Sequence, residues 1–127
     1  MRHPPPTFSV ADQYVDGVLV VRVAGEVDLS TTPAVVDRLR AALHRGDKRV
    51  VLDCEGVTFL DSKMIEAILG GAKRLRDAGG DLAVACSQDG PARSLEVLGV
   101  DSVVALRASV REAIRALGGG LPHPTDE

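Results

Sequence analysis

Asp61-Ser62 is the pair of residues best placed to do chemistry in this chain: a hydroxyl directly after a carboxylate, at the head of an amphipathic run. At a helix N-terminus the dipole and the unpaired N–H groups favour negative charge, so a phosphate or carboxylate at Ser62 would be stabilised there. A second polar motif, Gly25-Glu26-Val27-Asp28, leads into Ser30-Thr31-Thr32, three hydroxyls ahead of Pro33. The remaining candidates do not assemble into a catalytic set. His3 and His123 fall in the expected tails and His44 among charged neighbours, which leaves no histidine positioned as a general base. Cys54 and Cys86 then lack an activating partner and read as two reduced core thiols. Asp53, Glu55 and Asp61 are close in sequence, but the glycine-punctuated pattern of a calcium loop is missing. Gly70-Gly71-Ala72-Lys73 falls mid-helix without phosphate-loop spacing and reads as close helix packing. The residues point away from catalysis, cofactors and metal, and toward a binding surface around Ser62.

Hydrophobic spacing gives the elements that must position these groups. Asp16-Gly17 is a turn between a weak alternating run, Phe8 to Tyr14, and the strand Val18 to Val23, which together make an antiparallel hairpin. The Ser30-Thr31-Thr32-Pro33 segment starts a helix that carries Val35, Val36, Leu39, Ala42 and Leu43 on one side and ends at Gly46. Val50-Val51-Leu52 suits a strand buried on both faces, followed by a loop from Asp53 to Leu60. The next helix opens at Asp61-Ser62, buries Ile65, Ile68, Leu69, Ala72 and Leu75, and stops at Gly79-Gly80. Leu82 to Cys86 is a fourth strand, and Gly90-Pro91-Ala92 opens a short helix with Leu95 and Leu98. Val103 to Leu106 is a fifth strand, and Ser109 to Glu112 has the capping-box spacing of a last helix.

The order β-β-α-β-α-β-α-β-α predicts one α/β domain with a mixed, mostly parallel sheet of about five strands and covering helices. Residues 1–7 read as a proline-rich, disordered lead, 8–117 as the domain, and 118–127 as a flexible tail. In a parallel sheet the segments around Asp28 and Ser62 both follow the carboxyl end of a strand. They should share one edge, where α/β proteins place their sites. That edge would carry Asp28, Ser30, Thr31, Thr32, Asp61 and Ser62.

The totals bound the class further. With 127 residues, 45% hydrophobic but only 2% aromatic and a net charge of -3, the chain suits one cored domain. It lacks the stacking surface and basic run of a nucleic-acid binder. No stretch approaches the ~20 apolar residues of a membrane span, and no secretory h-region is seen at the start, so a cytoplasmic domain is expected.

The segments GEVDLSTTP, VVLDCEGVTFLDS, LAVAC and ARSLEVLGVDSVV, in that order and spacing, resemble the STAS-domain family over roughly residues 8 to 117. Within it the resemblance is to the bacterial anti-sigma factor antagonists. It implies a single STAS-like α/β domain without catalysis of its own. It also implies a partner anti-sigma factor, often a serine kinase, whose capture frees a sigma factor. Phosphorylation of a serine that follows an aspartate at the head of the second helix switches that binding off. Ser62 is the implied phosphorylation site, with Asp61 before it, Asp28 as acidic neighbour, and a monomer or weak dimer as the expected state. The family pattern continues with a small hydroxyl residue and glycine, where this chain has Lys63 and Met64. Both then join the partner-binding set, with Met64 expected to fill the space that glycine leaves open. They also motivate the alternative of an unphosphorylated STAS-like module that binds a partner protein or a small ligand such as a nucleotide.

Overall fold

A computed structural model describes residues 8–118; the expected lead, the rest of the expected tail, His3 and His123 lie outside them. The elements run β1 (Ser9–Val15), β2 (Val18–Val27), α1 (Thr32–Arg45), β3 (Arg49–Leu60), α2 (Ser62–Asp77), β4 (Asp81–Ala85), α3 (Asp89–Val97), β5 (Ala105–Arg107) and α4 (Val110–Ala116). A single 3-10 turn, Val100–Ser102, links α3 to β5. The strands lie in the order β1-β2-β3-β4-β5, with β1 antiparallel to β2 and every other neighbouring pair parallel. The hairpin turns on Asp16 and Gly17, at φ 52° and 79°. Two successive left-handed residues give a turn whose twist matches the flanking strands.

Alternation along the strands divides the core between two faces. Leu19, Val21, Val23, Val50, Leu52, Cys54, Leu82 and Val84 meet the apolar stripes of α1 and α2 and Leu95 of α3. Val18, Val20, Val51, Ala83 and Ala85 face the other way and pack on Ala113 and Ile114 of α4. Both faces of β4 and of the first halves of β2 and β3 are therefore covered, as a parallel sheet requires. The last helix is capped as expected, with the Ser109 hydroxyl accepting from the Glu112 N–H.

β3 departs from the expected layout. It continues unbroken to Leu60, where a loop was expected from Asp53. The polar residues that suggested a loop are accommodated inside the strand. Asp53 is buried and receives the Arg22 Nε from β2 at 3.2 Å and the Glu55 N–H at 3.0 Å. Gly56 lies against Ala24, where a Cβ would come within 2.9 Å of the alanine Cβ, and the register shifts beside it. Cys54, Val57 and Leu60 keep the apolar side of the strand in the core throughout. β5 also starts later than expected, at Ala105, because Val103 closes the 3-10 turn through its N–H to the Val100 carbonyl.

Candidate functional site

The extra length of β3 builds the site. β2 and β3 stay paired to their last residues, Val27 opposite Leu60, and the Asp61 N–H donates to the Val27 carbonyl at 3.2 Å. Adjacent strands lie about 4.8 Å apart. Asp28 and Asp61 thus leave the sheet side by side on its carboxyl edge, each one residue beyond a paired strand end.

After Asp28 the chain folds into a tight local turn. The Asp28 Oδ1 accepts from the Ser30 hydroxyl at 2.8 Å, the Ser30 N–H at 2.9 Å and the Thr31 N–H at 3.3 Å. Thr31 Oγ1 accepts the Asp28 N–H at 2.9 Å and donates to the Glu26 carbonyl at 3.0 Å. The Ser30 hydroxyl, and after it the Ser30 N–H, hold the Asp28 carboxyl below its usual value. Hydrogen bonds to a carboxylate favour its charged form, so the turn fixes a negative charge on this edge. Thr32 begins α1 and is buried, its hydroxyl without a partner.

Asp61 is the N-cap of α2, in extended conformation, and accepts the Lys63 N–H at 3.0 Å. Ser62 follows as the first helical residue and is exposed. It therefore stands at the positive end of a helix of 16 residues, directly after its own N-cap carboxylate and on the sheet edge that also carries the Asp28 turn. Lys63 is also exposed, its ammonium 3.6 Å from Glu66 Oε1. Met64 is a correction. Its side chain is fully buried against the core rather than standing in the space beside Ser62. At four residues before Ile68 it belongs to the apolar stripe of α2, which turns it inward.

Two apolar residues on this edge carried no sequence signal beyond their positions. Leu29, just after Asp28, is 68% exposed, and Phe59, in the residue pair before Asp61, is 51% exposed. Large apolar side chains left in water beside a polar cluster suit a surface that a partner covers. In sequence Phe59 falls in the expected loop and Leu29 in the exit from the second strand, where nothing local marks an apolar side chain as part of a surface, which is why they were missed. The other candidates do not join the edge. Asp53 and Glu55 lie inside β3 with their own partners, Arg22 and Ser87. Among the described residues no group of three or more His, Cys, Asp or Glu is arranged to hold a metal. His44 is exposed in the last turn of α1. Cys54 and Cys86 are free and buried, and burial raises both thiol pKa values. No helix among the described residues is long and apolar enough to cross a membrane.

A five-stranded α/β sheet thus brings an exposed serine and a fixed acid to its carboxyl edge. The chain belongs to the STAS domain family, whose pattern matches residues 9–113. It is similar to the anti-sigma F factor antagonist of Paenibacillus polymyxa, 35% identical over 80 residues, covering 62% of this chain and 68% of that protein. Its fold is similar to that of an anti-sigma factor antagonist from Mycobacterium paratuberculosis, with a TM-score of 0.81 at 25% identity, covering 88% of this chain and 95% of that one. The Bacillus cell fate determinant SpoIIAA, in its phosphorylated form, shares the fold with a TM-score of 0.64 at 19% identity, covering 86% of this chain and 97% of that one.

Proposed function

We propose that the chain is an anti-sigma factor antagonist: it binds an anti-sigma factor of the serine-kinase type through its carboxyl sheet edge, and phosphorylation of Ser62 ends that binding. The observation that carries the reading is the adjacency of Asp28 and Asp61-Ser62, set by the Val27–Leu60 pairing and the Asp61–Val27 hydrogen bond. The names of the antagonist relatives support the same partner class.

The charge arithmetic suits a switch. A phosphoserine adds about −1.5 to −2 charges at neutral pH. On the α2 N-terminus that charge meets a favourable dipole, so the domain keeps its fold. Against a partner fitted to a neutral hydroxyl, between Asp28 and Asp61, it meets like charge. Such juxtaposition can cost several kcal/mol, and about 1.4 kcal/mol is tenfold in affinity. Lys63 offsets part of this, and its ammonium is already engaged by Glu66. Burial of Met64 removes its bulk from the docking side, so the departure from the family pattern after Ser62 leaves the approach to the hydroxyl open.

The test is to incubate the purified chain with each serine-kinase anti-sigma factor of its host and ATP, then read intact mass and peptide fragments. Addition of one phosphoryl group at Ser62, with release of the complex, is expected. Modification confined to other residues, or none with any kinase that binds the chain, contradicts the reading.

A further inference from the structure

Gly70 and Gly71 lie in the middle of α2, and their surroundings differ. A Cβ on Gly71 would sit 3.0 Å from Leu39 Cδ1, so this glycine lets α2 close on α1. A Cβ on Gly70 would meet nothing within 4 Å. Glycine is a poor residue for a helix interior, and internal packing gives no reason for it at position 70. What Gly70 does is keep the floor of a cleft bare. The cleft lies between α1 and α2, has a volume of about 180 Å³, and is walled by Val36, Leu39, Leu43 and Ala67. Toward the Ser62 edge it runs on into a shallower hollow that reaches Leu29 and Lys63, with Val36, Arg40, Glu66 and Ala67 common to both.

Size and charge narrow the occupant. Small-molecule sites run to roughly 300–1,000 Å³; the enclosed part of the cleft, at about 180 Å³, falls below that and holds one or two side chains, while the more open hollow beside it encloses its occupant less. Arg40 and Arg74 stand exposed on its rim, and neither makes an ion pair or a side-chain hydrogen bond among the described residues. The rim carboxylate Glu66 is engaged by Lys63. A chain of net charge -3 thus presents two free cations on either side of an apolar slot.

We propose that this cleft receives an apolar anchor side chain from an acidic segment of the partner protein, whose carboxylates meet Arg40 and Arg74. Buried apolar anchors of this kind hold a disproportionate share of interface energy, and the acidic flanks fix orientation and speed encounter. The proposal rests on the antagonist reading only in taking the occupant to belong to the anti-sigma factor.

The test uses isotope-labelled full chain and three probes: a short helical peptide of leucines and glutamates, the same peptide with lysine for glutamate, and decanoate. Expected are amide shifts centred on Gly70, Gly71, Arg40 and Arg74 with the acidic peptide, and binding at least about tenfold weaker with the lysine peptide. Gly70→Met fills the floor with a better helix former, so it should abolish the shifts while raising the thermal midpoint. Arg40→Gln with Arg74→Gln should erase the preference for the acidic peptide. Shifts elsewhere, equal binding of both peptides, preference for decanoate, or unchanged binding by Gly70→Met each overturn the proposal. The peptide titration reads the cleft with neither anti-sigma factor nor ATP present, so failure at the cleft and failure of the Ser62 switch are separate results.

Discussion

Asp28 holds its charge because the turn after it is built from hydroxyls. Its carboxyl lies below the usual value, first through the Ser30 hydroxyl. A folded-state pKa below the unfolded one adds stability above about pH 4 that is lost as pH falls. Asp28→Asn removes this contribution, so urea unfolding between roughly pH 5 and 3 should show a shallower loss of stability than wild type; equal slopes would rule the effect out. Thr32 offers a second residue-level test. Its buried hydroxyl has no partner, and an unmet polar group costs about 1–3 kcal/mol. Thr32→Val should therefore stabilise the domain by about 1 kcal/mol, measured by the urea midpoint, and a loss of stability would show that the hydroxyl is satisfied. Asp28, Asp61 and Ser62 were legible in the sequence because short polar motifs at strand ends stand out from apolar surroundings. Met64 was legible too, through its spacing to Ile68, but its position beside Ser62 drew it onto the surface. Leu29 and Phe59 were not legible, since exposure of an apolar residue depends on where the neighbouring strand ends.

At the scale of the element, α2 brings the helix dipole, the N-cap and the serine to one point. Asp61 accepts the Lys63 N–H, and losing an N-cap typically costs ~1 kcal/mol. Asp61→Ala should lower stability by about that much, and Asp61→Asn by far less, in chemical denaturation. Ser62→Asp adds charge at the favourable end of the helix and should leave stability unchanged or raise it by about 0.3–1 kcal/mol. A large destabilisation there would mean that the modified domain unfolds rather than merely loses its partner. The helices were legible because their stripes and caps are local signals. β3 was half legible: its apolar first residues announce a strand, while Asp53 and Glu55 read as loop until Arg22 and Ser87 are seen to pair with them. A strand that satisfies its polar residues across the sheet cannot be told from a loop by its own sequence.

For the molecule as a whole, alternating strands and helices made a mostly parallel, helix-covered sheet legible, and the structure has it. The order β1-β2-β3-β4-β5 was not, since βα connections of similar length serve several orders. That order matters to function, because only adjacency of β2 and β3 sets Asp28 beside Ser62. The proposed binding surface is this sheet edge, and its proposed regulation is a change of charge there rather than a change of fold. Titration calorimetry of the anti-sigma factor against wild type, Ser62→Ala and Ser62→Asp tests this most directly, with equal urea midpoints as the control for folding. Expected are similar affinities for wild type and Ser62→Ala, and at least a tenfold loss, about 1.4 kcal/mol, for Ser62→Asp. Binding of Ser62→Asp as tightly as wild type would contradict the charge switch at Ser62.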